Sequence, residues 1–281
     1  MKYFFSSFFI VFSFLVIFSG CRGHNTLNIN NNSLSTENYY ITFHTSMGNI
    51  IVKLYNETPL HRDNFINLTK DGFYNGHIFH RVIKNFMIQS GDPTFIKAKK
   101  AQLLKNGVPV YTIPAEIKSF LFHKKGALAA ARTGDFVNPE RVSSASQFYI
   151  VQGKKFSDIE LDQIEKKINQ ANRNNIYYYF HKKISTNLNT SKNIDPKNIN
   201  QEAIIEATDS LDQYIPFHFT STQRNTYKTI GGAPHLDGAY TVFGEVVSGQ
   251  DIVDKIASVP TDTNNKPLQD VKILNVKITR K

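Results

Sequence analysis

The sequence predicts a mainly β body, a closed barrel or sandwich with helical caps, interrupted once by a largely helical insertion. Three observations predict it. Short runs rich in β-branched and aromatic residues recur along the chain, separated by turn residues. Only two compact helical signals stand among them. From about residue 154 to 229 the apolar spacing changes from strand-like to helical. Many short strands with few helices fit a barrel or sandwich better than a layered α/β sheet.

The elements follow in order. Tyr39-Tyr40-Ile41-Thr42-Phe43 and Asn49 to Tyr55 read as a hairpin turned at Ser46-Met47-Gly48-Asn49. A helix follows, with Thr58 as N-cap, Pro59 at the first helical position, Phe65 and Leu68 as an apolar pair, and Gly72 just past its end. Ile78 to Ile83, Phe86 to Gln89, Leu128 to Ala131 and Gln147 to Val151 read as strands. In the insertion, Ser157 and Glu160 fit a capping box, and Leu161, Ile164, Ile168 and Ala171 recur at helical spacing. A second helix starts at Asp195-Pro196, with Ile199, Ala203, Ala207 and Leu211 down one face, and Asn172-Arg173-Asn174-Asn175 lies between the two. Tyr177-Tyr178-Tyr179-Phe180 reads as helix packing in preference to a docking patch. Tyr240 to Val246 and Val271 to Ile278 are the last strands, with a short helix over Ile252 to Ile256 between them.

Ahead of the body, Met1-Lys2 gives a basic start and Phe4 to Phe18 an apolar run that ends in Ser19-Gly20. This is the layout of an export signal; the run is short for a membrane span, which needs about 20 apolar residues. Cys21 is the only cysteine, so an internal disulfide and a cysteine metal cluster are excluded. Phe18-Ser19-Gly20-Cys21 resembles the bacterial lipobox, with Phe18 in place of the usual Leu. That resemblance implies a lipoprotein signal peptide over 1–20 and a lipid on Cys21; the polar, Asn-rich composition then reads as a flexible tether over 21–38, and the strand signals from Tyr39 open a body over 39–281. The lipobox resemblance implies an exported protein anchored to a bacterial membrane and facing the periplasm. The net charge of +10 is spread along the chain without a nucleic-acid motif, so a solvated face or nearby anionic lipid is expected and no nucleic acid.

The chemistry lies in Phe79-His80-Arg81-Val82-Ile83-Lys84-Asn85-Phe86-Met87-Ile88-Gln89-Ser90-Gly91-Asp92. This segment resembles the signature of cyclophilins, the family of peptidyl-prolyl cis/trans isomerases. Ser146-Gln147-Phe148-Tyr149-Ile150 and Leu236-Asp237-Gly238-Ala239-Tyr240-Thr241-Val242-Phe243-Gly244 resemble two further blocks of that family, in the same order. The resemblance covers roughly 39–153 and 230–281. It implies an eight-stranded antiparallel closed barrel capped by two helices. It also implies catalytic Arg81 with Gln89 holding substrate backbone, and a substrate site of Phe86, Met87, Ala131, Gln147, Tyr149, His235, Leu236 and Tyr240. Tyr149 stands where the family usually has Phe, His235 where it has Trp, and Tyr240 where it has His. Loss of the Trp implies weaker binding of the cyclosporin class.

The reaction needs little apparatus. Resonance resists rotation of an amide by about 18–20 kcal/mol. No bond breaks, so a catalyst need only grip proline and favour the twisted amide, whose nitrogen regains a lone pair. A guanidinium can donate to that site. No cofactor and no metal are expected: His77 and His80 are three apart on a predicted strand and face opposite ways. The expected partners are proline-containing unfolded or partly folded proteins, met by a monomer. The alternative is a proline-peptide-binding chaperone module with weak or no isomerase activity, for which the altered His235 and the insertion speak.

Overall fold

The computed structural model describes residues 37–95, 111–188 and 199–281. The expected signal segment, Cys21, nearly all of the tether and the helix start at Asp195-Pro196 lie outside these residues. β1 (Tyr39–Thr45) and β2 (Gly48–Leu54) form the expected hairpin, with Tyr40 opposite Lys53 and Thr45 opposite Gly48. Alternate residues Ile41, Phe43, Ile50, Val52 and Leu54 are buried, because successive strand side chains point to opposite faces. Gly48 has φ +130°, and a Cβ there would lie 2.6 Å from Ile252 Cδ1. The backbone conformation favours glycine here, and its missing side chain leaves room for Ile252.

α1 (Pro59–Lys70) begins and ends near the expected positions, and Gly72 adopts the left-handed conformation expected after its last turn. Its cap differs from expectation. Thr58 stands at the N-cap but its side chain makes no capping bond. Glu116 does the work instead, accepting from Leu60 N at 3.1 Å and His61 N at 2.9 Å. Its two oxygens satisfy two first-turn donors at once. Phe65 of this helix enters the core, its ring 4.7 Å from Tyr74 and 5.3 Å from both Phe148 and Phe243.

The remaining strands of the body are β3 (Arg81–Ile83), β4 (Met87–Ser90), β5 (Thr112–Ile113), β6 (Ala127–Ala130), β7 (Ser143–Ser144) and β8 (Phe148–Val151). The insertion contributes α2 (Asp158–Leu188), α3 (Ile199–Asp212) and α4 (Ser221–Thr229). β9 (Val242–Ser248), α5 (Gln250–Ile256) and β10 (Ile273–Arg280) complete the chain. Eight strands form one antiparallel sheet in the order β10-β1-β2-β9-β6-β8-β4-β3, and β5 and β7 pair separately.

The sheet is an open half-barrel, which corrects the expectation of a closed one. Its edges are β10 and β3. β3 has only three residues and pairs with β4, so no ladder runs on to β10. Among the described residues the edges meet through one isolated bridge, Ile78 opposite Lys272, with the flanking bonds Phe79 N to Val271 O at 2.9 Å and Ile273 N to His77 O at 2.7 Å, and through Gly76 N to Ile273 O at 2.8 Å.

The insertion leaves after β8 and returns before β9. Its neck is closed by glycines: Gly232 N donates to Lys154 O at 2.9 Å, and a Cβ on Gly153 would lie 2.5 Å from Gly232. Ser157 and Glu160 form the expected capping box, with Ser157 N to Glu160 Oε2 at 2.8 Å and Glu160 N to Ser157 Oγ at 3.3 Å. Leu161 and Ile168 are buried and Ile164 half-buried, whereas Ala171 is exposed. Asn172 to Asn175 do not separate two helices; they lie inside α2. Tertiary partners offset their low helix propensity: Asn172 Oδ1 accepts from Arg141 Nη2 at 2.8 Å and Asn175 Nδ2 donates to Pro139 O at 3.0 Å. Tyr178 packs edge-on against Phe136 at 5.5 Å.

Candidate functional site

Strand register builds the site. Arg81 stands opposite Gln89, Gln89 opposite Tyr149, and Tyr149 opposite Ala129. These four therefore form one row across β3, β4, β8 and β6, on the face turned away from the main core. Two residues along, Ile83, Met87 and Val151 make a second row on that face. The β3–β4 turn presents Phe86 beside them. Phe86 N bonds Ile83 O at 3.1 Å, and Asn85 takes a left-handed φ of 63° while its N–H donates to Gln152 Oε1 at 2.6 Å. Asn is among the few residues that adopt this conformation readily.

Arg81, Phe86, Met87, Gln89, Ala131, Arg132, Tyr149, Leu236 and Tyr240 line one cavity of about 280 Å³. An adjoining hollow of about 410 Å³ shares Gln89, Ala131 and Arg132, and it is lined by Gln147 among others. So eight of the expected residues surround one cavity and Gln147 lies next door. His235 is not among the lining residues. It is exposed on a short 3-10 turn, with its ring 5.0 Å from that of Phe86. Cys21 lies outside the described residues.

The guanidinium is held lightly. Arg81 Nη1 donates to Gln89 Oε1 at 3.3 Å, a long hydrogen bond, and Gln89 Nε2 donates to Gln147 Oε1 at 3.0 Å. None of the ion pairs among the described residues includes Arg81. Its remaining donors are therefore available to a ligand in the cavity.

Two groups of residues were not foreseen. Arg132 lies over the Tyr240 ring at 4.3 Å and donates from Nε to Ala239 O at 2.7 Å. Asp135 holds it at 2.6 Å and also holds Arg141 at 2.8 Å. Arg141 in turn reaches Gly238 O and Asn172 of α2. The second group lies behind Tyr149, whose hydroxyl is 3.0 Å from His123 Nε2, while His123 Nδ1 is 2.8 Å from Asp237. Burial pushes the Tyr149 phenol well above its usual pKa, so it stays protonated. Asp237 was visible in the Leu-Asp-Gly block; its partners were not, being distant in sequence.

The family model described as cyclophilin type peptidyl-prolyl cis-trans isomerase/CLD matches residues 40–278. A peptidyl-prolyl cis-trans isomerase of Acinetobacter baylyi is 32% identical over 248 residues, covering 86% of this chain and 86% of the relative. A crystal structure of a Cryptosporidium parvum cyclophilin type peptidyl-prolyl cis-trans isomerase superposes with a TM-score of 0.51 at 20% identity. That superposition covers 86% of this chain and 98% of the other, and it supports the fold. With the family model running from β1 to β10 and including every residue of the cavity, this chain belongs to the cyclophilin-type peptidyl-prolyl cis-trans isomerase family.

Proposed function

We propose that the protein speeds rotation about X-Pro bonds in unfolded or partly folded exported proteins. Arg81 is the catalytic donor, and Phe86, Met87, Tyr149 and Leu236 grip the proline ring. The observation that carries these roles is the cavity of about 280 Å³ in which a guanidinium, free of ion pairs among the described residues and held by one long hydrogen bond, lies beside apolar and aromatic walls. The planar amide offers its nitrogen no lone pair; the twisted amide does. A donor fixed beside the ring therefore binds the twisted state better than either planar isomer, which is the condition for catalysis. Gln89 steadies Arg81 through its carbonyl and turns its amide towards Gln147, at the entrance to the adjoining hollow.

The test is the cis-to-trans relaxation of an X-Pro tetrapeptide in the presence of the full chain. The relaxation rate is expected to rise in proportion to protein concentration. A peptide that binds without any rise in rate would favour the chaperone reading.

The lipobox-like Phe18-Ser19-Gly20-Cys21 supports a lipid on Cys21, and with it a monomer tethered to a bacterial membrane, facing the periplasm. A body held in that compartment would meet its clients as they emerge. Intact mass of protein from a bacterial host is expected to show Cys21 as an acylated N-terminus. An unmodified Cys21 would contradict the tether.

A further inference from the structure

The insertion sends one side chain into the body at the site. Tyr227 of α4 is fully buried, its ring 5.6 Å from Phe122 and 5.7 Å from Phe219. Its hydroxyl donates to Asp237 Oδ2 at 2.7 Å. The other oxygen of Asp237 accepts from His123 N at 2.9 Å and from His123 Nδ1 at 2.8 Å. His123 Nε2 then faces the Tyr149 hydroxyl at 3.0 Å. The order of proton donation follows from this geometry. A carboxylate that accepts three bonds leaves the His123 proton on Nδ1, so Nε2 is free to accept from Tyr149. Each side-chain polar atom of Tyr227, Asp237, His123 and Tyr149 is paired, as burial requires.

The chain ends on the cavity wall. The Tyr149 ring stacks on His123 at 6.0 Å and meets Tyr240 edge-on at 6.1 Å, and both tyrosines line the cavity. The neck of the insertion is built to allow the approach. A Cβ on Gly232 would lie 2.3 Å from His123 O and 2.6 Å from the Tyr227 ring. Only glycine at this position lets α4 close over His123.

We propose that Tyr227 is a positioning residue of the proline pocket: through Asp237 and His123 it fixes the Tyr149 ring, so the insertion is part of the substrate site. The proposal rests on the reading that this cavity receives proline. It predicts an effect on how well substrate is held, because Arg81 lies on another strand and is untouched.

The experiment compares four full-length proteins: wild type, Tyr227→Phe, Tyr149→Phe and the double variant. Each is assayed for kcat and KM on one X-Pro tetrapeptide, with a thermal melt as a folding control. Tyr227→Phe keeps the ring and removes only the donor. It is expected to raise KM roughly threefold to tenfold, the range of one net hydrogen bond, with kcat within about twofold. In the Tyr149→Phe background there is no hydroxyl left to hold, so the same change is expected to leave KM nearly unmoved. An unchanged KM in folded Tyr227→Phe, or equal shifts in both backgrounds, overturns the proposal. Should Tyr227→Phe not fold, the nitrogen NMR spectrum of wild-type His123 decides. A proton on Nδ1 alone is expected, and a proton on Nε2 overturns the relay. Inactivity of the wild type would instead remove the underlying reading of the cavity.

Discussion

Four adjacent strands, β3, β4, β8 and β6, carry opposite chemistry on their two faces. On the inner face Val82, Ile88, Ile150 and Leu128 stand in register and are buried. One residue along, the outer face carries Arg81, Gln89, Tyr149 and Ala129. Strand alternation sets both rows at once, and a one-residue slip would exchange them. The inner row needs no particular chemistry, only volume and apolar surface, and it secures the register. The outer row can then hold polar groups at fixed separations, satisfied by one another and by Gln147 and His123. Stability and chemistry are thus separated by the thickness of a sheet.

Truncating the inner row should break this division most visibly. Ile150→Ala is expected to lower the unfolding free energy by about 2–5 kcal/mol, the usual range for a buried aliphatic. Urea denaturation measures it, and KM of the still-folded fraction should stay within about twofold.

Acid should act on the interior next. Burial holds His77 down to a pKa of about 4. In the unfolded chain it titrates near its ordinary value of about 6.5. Between these values the unfolded state binds the proton and the folded state does not. Stability is therefore full above pH about 6.5 and falls as pH drops towards 4, by up to about 3 kcal/mol from this group. Thermal melts across that range check the sign, and His77→Gln should flatten the slope.

The smallest effect belongs to Asp135, at the border of the outer face. Asp135→Asn weakens the holder of Arg132 and so the contact of its guanidinium with Tyr240 at 4.3 Å. A loss of roughly threefold to tenfold in kcat/KM is expected, in line with a weakened cation–π contact and ion pair. Peptide kinetics measure it, and the melting temperature should move little.

What the sequence made legible follows the same division. The apolar alternation of β1 and β2 could be read directly, since a strand's period is local; β9 and β10 could be read as strands, but their burial does not alternate. Arg81, Phe86, Met87 and Gln89 could be read together because a single hairpin carries them. Arg132, His123 and Tyr227 could not: Tyr240 meets Arg132, and Asp237 meets both His123 and Tyr227, only after folding. The same holds for Glu116, which caps α1 across the chain, and for Asn172 and Asn175, kept helical by Arg141 and Pro139. The open edge at β3 was hidden for a different reason. Ile78 to Ile83 has the composition of a longer strand, but only Arg81–Ile83 is paired along a ladder.

The central claim is that the Arg81 guanidinium favours the twisted amide. The most direct measurement compares wild type with Arg81→Ala on one X-Pro tetrapeptide, with peptide affinity and melting temperature recorded alongside. The account predicts a fall in kcat/KM of roughly 100-fold, the scale of one lost transition-state donor, while ground-state affinity changes by less than about threefold and the melt is unchanged. An Arg81→Ala protein that isomerises the peptide as fast as wild type would contradict it.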